Sequence, residues 1–230
     1  MLQSVPNIHR SFALNKQFNS SMLNQKSSMS IYQNKLYLTE HRLLAYLEQF
    51  KYVQDGDKVL EIGTGAGIFG EIVKRVAHYE CIDIDSATNP HYVADISEWD
   101  QVSHLEGRFD SIFCCQVLEH MPYEMSKRAL QNLLRLKAKI VVVSIPDNRK
   151  AIQLGFRFRR WHFEYIYSVP FTGHEVNLRT NEYHYWEIWR KNSRSIIDDF
   201  TSISTDYRLK KRYRFFHRFK QHFFVYKLCE

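Results

Sequence analysis

The amino-acid sequence predicts an α/β protein built on a doubly wound, mostly parallel sheet, and three observations carry that prediction. Between about residues 57 and 146, short apolar runs alternate with stretches of helical periodicity, the pattern of strands covered on both faces by crossover helices. The first run, KVLEI at 58–62, is followed at once by glycines at alternate positions, Gly63, Gly65 and Gly67; in such sheets ligands sit outside the carboxyl ends of the strands, beside the first one. A chain of 230 residues is long enough for one such domain with decoration and cramped for two.

Residues 1–35 are rich in Ser, Asn and Gln without a sustained period and are expected to form a flexible arm, leaving 36–230 as a single domain. Thr39 is placed as the N-cap of a helix in which Leu43, Leu44, Leu47 and Phe50 recur at helical spacing and supply the face that packs on the sheet. QDGD at 54–57 turns the chain into the first strand. There follow a helix from about 68 to 76, strands at YECIDID, HYVADI and RFDSIFCCQVL, a helix from about 123 to 136, and the strand AKIVVVSIP. Beyond Pro146 the rhythm breaks for about 40 residues dense in Arg, His and aromatic side chains; an excursion of that length, at about 147–186, reads as a lid or substrate-binding insertion. A helix near 187–200 and two late strands, SISTDYRL and HFFVYKL, close the chain.

The net charge is +7, and eight Lys and Arg against one acid in residues 207–230 account for all of it, so the basicity is local. This tail, RLKKRYRFFHRFKQHFF, has two readings: a surface for nucleic acid or anionic membrane, or, preferred, the loop of a closing hairpin with charges outward and Phe inward. Cys81, Cys114, Cys115 and Cys229 show neither C-x-x-C spacing nor a His partner at metal-site spacing, so no metal is expected. Adjacent Cys114 and Cys115 would point to opposite faces of a strand and suit small buried hydrophobes in a reducing, cytoplasmic setting. The longest aliphatic run, IVVV at 140–143, is far too short to span a bilayer.

Glycines behind a first strand let the backbone approach a ligand closely and adopt φ > 0. Two ligands compete for this loop. Gly65, Gly67 and Gly70 satisfy G-x-G-x-x-G, with Asp83 or Asp85 near the distance of a ribose-binding acid, as in dinucleotide sites. Glu61 argues the other way, because a carboxylate at the strand end is unfavourable beside a pyrophosphate and favourable beside a cation.

VLEIGTGAG resembles the first motif of class I S-adenosylmethionine-dependent methyltransferases, and later segments are similar to the rest of that family in the right order. The resemblance implies a seven-stranded Rossmann-like sheet with an antiparallel last strand, formed here by DYRL and HFFVYKL, and S-adenosylmethionine as cofactor. It implies that Glu61 neutralises the cationic amino-acid end of the cofactor, which Gly63, Thr64 and Gly65 cradle. It places the ribose-binding acid at Asp83, with Asp85 as the alternative, and Ile84 against adenine. Asp95 would meet the adenine amino group, unless it merely starts the DISEW turn, and Ile96 would flank the ring. FDSIFCCQVLEHMP and VVVSIPDN resemble the fourth and fifth strands of small-molecule members of the ubiquinone-biosynthesis type, with Gln116 against the cofactor and His120 facing the reacting methyl. The match spans about 57–146 and, loosely, 187–230; the insertion matches no motif.

The family likeness therefore implies methyl transfer to a small molecule, an oxygen of a saccharide, lipid-linked or other metabolite being favoured. For a hydroxyl acceptor His120 is the candidate general base, with His174 and His184 in the insertion as alternatives. Arg157, Arg159, Arg160 and Trp161, with Tyr183, Tyr185 and Trp186, either grip an anionic or sugar-like acceptor or pack the lid onto the core. The residues at 114–117 are not N/D-P-P-Y, which speaks against base N-methylation. An RNA-directed methyltransferase using the basic tail is the alternative; a nucleotide-binding oxidoreductase or a binding module without turnover is a third reading.

Overall fold

The computed structural model describes residues 39–158, 161–168, 183–204, 206–217 and 219–229. The N-terminal arm, Arg159, Arg160 and His174 lie outside the described residues, and only the backbone is described at Arg157 and Trp161. Helix α1 (Glu40–Phe50) leads into β1 (Lys58–Ile62), α2 (Ile68–Val73), β2 (His78–Asp83), β3 (Tyr92–Val93), α3 (Trp99–Val102), β4 (Ser111–Cys115), α4 (Tyr123–Arg135) and β5 (Ile140–Pro146). A hairpin of β6 (Ala151–Phe158) and β7 (Trp161–Ser168) comes next, then α5 (Ser193–Ser202), β8 (Tyr207–His217) and β9 (Phe219–Leu228).

Seven strands form one sheet in the order β3-β2-β1-β4-β5-β9-β8. Strands β1 to β5 pair in parallel, and β9 runs antiparallel between β5 and β8. The order reverses between β1 and β4, which opens the crevice where such sheets bind ligands. Both faces are buried, which is why the strand sequences are nearly all apolar. Leu60, Ile62, Ile112 and Cys114 face a core shared with Leu130, Leu133, Ile196 and Phe200 of α4 and α5. Val59, Phe113 and Val142 face the other way, onto Phe69 and Val73 of α2, with Cys115 and the α1 residues Tyr46 and Phe50 packed against them. The adjacent cysteines thus point to opposite faces as expected, and all four are free. Each fully buried Phe or Leu in these layers is worth about 1.5–3 kcal/mol of transfer free energy.

The structure corrects several expectations. Leu43 and Leu47 are 42% and 50% exposed, so the buried side of α1 is rotated from the predicted stripe. Ala45, Tyr46 and Phe50 pack inward, and the buried Glu48 accepts a hydrogen bond from Tyr213 of β8, 2.8 Å. Thr39 stands at the N-cap, but its side chain makes no capping bond. The helix expected near 187 begins only at Ser193, because the Ile188 backbone is already committed: its N–H donates to Pro146 and its carbonyl accepts from Asn148. Those bonds pin the two ends of the insertion together at the end of β5.

The basic tail is not a loop. It forms the arms of β8 and β9, with β8 at the sheet edge and Arg208, Lys210, Lys211 and Arg212 exposed along it. Charged side chains on an edge strand block pairing with other chains. Arg214 turns inward instead, its Nε 3.0 Å from the wholly buried Asp147 carboxylate, which also accepts from Arg149 (2.9 and 2.6 Å) and His222 (3.1 Å). Burial would raise the Asp147 pKa, but the hydrogen bonds from Arg149 and His222 hold it well below the usual carboxylate range.

Candidate active site

The carboxyl end of β1 carries the glycine loop in a conformation that demands glycine. Gly63, Gly65 and Gly67 have φ of 76°, 50° and 71°. A Cβ on Gly63 would also stand 2.5 Å from Val117 Cγ2, so the Val117 side chain, in the turn after β4, fills the space that a side chain on Gly63 would need. Thr64 is latched to the neighbouring strand: its N–H and Oγ1 both donate to Asp83 Oδ2, at 3.0 and 3.1 Å. Asp83 Oδ1 accepts from the Asp85 N–H. Asp85 spends its own carboxylate capping the next turn, accepting from Ala87 N–H at 2.9 Å. Of the two aspartates, Asp83 is the one tied to the glycine loop.

Glu61 is buried, and the Tyr79 hydroxyl donates to its Oε2. Burial, with the nearby Asp83 charge adding to it, pushes the Glu61 pKa up to about 8. The same Tyr79 ring explains Gly70, where a Cβ would meet ring carbon Cζ at 2.6 Å. The third glycine of the G-x-G-x-x-G pattern therefore makes room for the tyrosine that holds Glu61. Sequence reasoning missed Tyr79.

Further along the crevice the expected residues separate. Ile84 is 55% exposed beside Asp83, whereas Ile96, expected to flank a ring, lies in the core with its carbonyl accepting from Asn132 Nδ2. Asp95 does start the turn after β3, its Oδ1 accepting from Ser97 N–H at 2.8 Å. Gln116 sits at φ 59°, a conformation rare for a residue with a side chain, its N–H held by the Ser144 carbonyl.

The turn after β4 brings Glu119 and His120 against His184, from the far end of the insertion. The two imidazoles meet edge to face, centroids 4.8 Å apart. His120 Nδ1 lies 3.1 Å from the Tyr183 carbonyl, so that nitrogen carries the proton. His184 Nδ1 lies 2.6 Å from Glu187 Oε1, and Glu187, wholly buried, also receives Asn148 Nδ2. The Tyr185 N–H donates to the Glu119 carbonyl, 2.8 Å, fastening the two segments. Glu119 is fully buried, and neither carboxyl oxygen has a hydrogen-bond partner among the described residues. Burial, aided by the Glu187 charge, pushes its pKa up to about 8; burial and then His184 push His120 down to about 4. His120 and His184, alternatives in the sequence, are neighbours in space. Glu119 and Glu187 were not singled out; the visible signals were an acid beside His120 and an acid three residues after His184.

The remaining expected contacts resolve differently. Trp186 is buried under α4, its Nε1 donating to the Met121 carbonyl and Ser126 Oγ, so it packs the insertion onto the core, while Tyr183 and Tyr185 are nearly half exposed. A surface cavity lined by Lys58, His78, Glu80 and Arg108 lies at the amino ends of β1 and β2, away from the glycine loop.

A doubly wound sheet with an antiparallel β9 between β5 and β8 and a glycine loop behind β1 defines the fold of class I S-adenosylmethionine-dependent methyltransferases. Residues 32–192 match the family model described as a methyltransferase domain, and the chain belongs to that family. A ubiquinone biosynthesis O-methyltransferase of Pseudomonas aeruginosa is 30% identical over 112 residues, a stretch that spans 42% of this chain and about half, 47%, of that relative. Among solved structures, the N-methyltransferase NodS of Bradyrhizobium japonicum superposes with a TM-score of 0.53 at 15% identity, covering 93% of this chain and 98% of that one. The methyltransferase domain of a bacterial Hen1 gives 0.53 at 15% identity, covering 82% and 98%. At these identities the structural likeness speaks to fold alone.

Proposed function

We propose that this protein transfers a methyl group from S-adenosylmethionine to an oxygen of a small-molecule acceptor. The observation that carries the reading is the buried Glu61 carboxyl, held by Tyr79 at the root of a loop whose three glycines all have positive φ. That donor set fits a ligand whose amino-acid end is cationic and does not fit a pyrophosphate. In this reading Glu61, Gly63, Thr64 and Gly65 hold the amino-acid end, Asp83 takes the ribose hydroxyls, and Ile84 and Asp95 border the adenine with the backbone around Ile96. Gln116 borders the cofactor at the end of β4. When bound, the cofactor supplies an electrophilic methyl on a sulfonium leaving group. The chain's own task is then positioning, worth up to about 7–11 kcal/mol in well-oriented cases, and removal of a proton from the acceptor hydroxyl.

The insertion supplies the acceptor surface. Ile152, Leu154 and Phe156 of β6 stand across from Tyr167, Tyr165 and Phe163 of β7, and all six side chains are more than half exposed or at half, an apolar face suited to an aromatic or lipid-linked acceptor. The similarity to an enzyme named for O-methylation in ubiquinone biosynthesis points the same way. In this reading His120 faces the acceptor; its neutral ring accepts a proton, though a nitrogen with a pKa near 4 is a weak base. The RNA-directed alternative loses support because Arg214 of the basic tail is committed to Asp147.

Calorimetry with S-adenosylhomocysteine, NAD and NADP tests the cofactor half: only the first should bind. Labelled S-adenosylmethionine offered with fractionated metabolite extract and with total RNA tests the acceptor half, and label recovered only in RNA would overturn it.

A further inference from the structure

We propose that Glu119, His120 and His184 form a binding site for a divalent first-row transition cation, Zn2+ or Mn2+ being the chemical class the donors select, at the acceptor end of the crevice. One donor atom from each residue lies within 4.8 Å of the other two, close enough for a single ion to bridge them with small rotamer adjustments. The two rings are set up for it. A backbone carbonyl can only accept, so the His120 Nδ1 facing Tyr183 carries the hydrogen, and His184 Nδ1 is likewise engaged by the Glu187 carboxylate. In both rings the lone pair is left on Nε2. A histidine whose outer nitrogen is tied to a carbonyl or carboxylate is the usual supporting arrangement for a metal ligand.

Glu119 gives the independent observation. A fully buried carboxyl group with no hydrogen-bond partner for either oxygen among the described residues is costly, and two imidazoles stand within reach of it. A cation bound by all three would satisfy it. Two imidazoles and one carboxylate suit Zn2+, Mn2+, Fe2+ or Co2+ better than Ca2+ or Mg2+, which prefer all-oxygen shells. Three protein donors leave coordination positions open for water and for an acceptor oxygen.

The chemical consequence rests on the methyl-transfer reading above. A hydroxyl on the cation loses its proton to water more readily, and the resulting oxygen anion forms the new O–C bond as the S–C bond breaks, the bonding pair leaving on sulfur. His120 then serves as a ligand and not as the base.

The test uses untagged, full-length protein stripped with chelator and dialysed. Titration calorimetry with Zn2+ and Mn2+, and the visible absorption of added Co2+, should show one ion per chain. Glu119→Gln and His184→Asn should each weaken binding at least 10-fold, to about 100-fold, and change the Co2+ spectrum, with melting curves confirming a folded chain. His120→Ala should do the same. Glu61→Gln should lose S-adenosylhomocysteine but keep the ion, which separates failure of this site from failure of the cofactor reading. No saturable ion, or an affinity and Co2+ spectrum unchanged in the folded variants, overturns the site. Should Glu119→Gln not fold, His184→Asn and His120→Ala decide on the same readouts. Cofactor binding that persists in an ion-free chain whose methyl transfer is indifferent to chelator overturns the catalytic role.

Discussion

Glu61 shows how one buried side chain can couple a ligand to pH. Its pKa near 8 lies above its ordinary value, so the folded, ligand-free chain holds a proton there that the unfolded chain releases near 4.5. That contribution to stability is fully present below about pH 4.5 and is lost as the pH rises through about 8. A cationic ligand needs the ionised form, so affinity runs the opposite way: S-adenosylhomocysteine should bind more than ~10-fold more tightly at pH 8 than at pH 6, and Glu61→Gln should bind weakly with no such slope, both readable by calorimetry. Gly63 makes a second prediction at this scale. Gly63→Ala brings a Cβ to 2.5 Å from Val117 Cγ2 at a φ of 76°, so it should destabilise by about 2–4 kcal/mol, overpacking and left-handed strain together. Adding Val117→Ala should return the overpacking part but not the strain, leaving a deficit of about 1 kcal/mol in denaturant midpoints.

At the scale of elements, the closing strands are the clearest case of a sequence feature whose meaning depends on its neighbours. Lys210, Lys211 and Arg212 lie on β8, which is the outermost of the described strands and pairs among them with β9 alone. Their charges protect an edge. Replacing all three with Ser should leave S-adenosylhomocysteine affinity and methyl transfer unchanged while raising aggregation, followed by light scattering on warming. A parallel loss of methyl transfer would mean that the strand touches the acceptor. The insertion is the opposite case, an element fastened firmly at its root and projecting beyond it. The Asp147 cluster, the backbone bonds of Ile188 and the burial of Trp186 hold its ends to the body of the sheet, while β6 and β7, among the described strands, pair with each other alone and turn apolar side chains outward.

For the whole molecule, both faces of a seven-stranded sheet are covered and the ligand crevice opens where strand order reverses, so binding should stabilise the entire cooperative unit. At 100 times its dissociation constant S-adenosylhomocysteine should add about 2.7 kcal/mol, a rise of roughly 5–10 °C in Tm for a chain of this size, and NAD at the same concentration none. No helix among the described residues is long and apolar enough to cross a membrane. Much of this architecture was legible in the chain itself. The alternation of apolar runs and helical periods, the glycines behind β1, and the acids Glu61 and Asp83 are patterns of residues close in sequence, where strand and turn preferences act directly. Misread were the buried side of α1 and the form of the basic tail, because which side of an element is covered depends on what packs against it: Tyr213 reaching Glu48, and β9 lying between β5 and β8. The turn after β4 was the least legible. Glu119 and His120 meet His184 only because the insertion leaves and returns at Asp147 and Ile188. The sequence by itself determined the α/β class and the glycine turn behind β1 with Glu61 and Asp83 beside it, since those rest on local spacing. Only the tertiary structure decided which distant side chains face one another across it, since closing a chain over some 60 residues is settled by the packing of the whole fold and not by any short stretch of it.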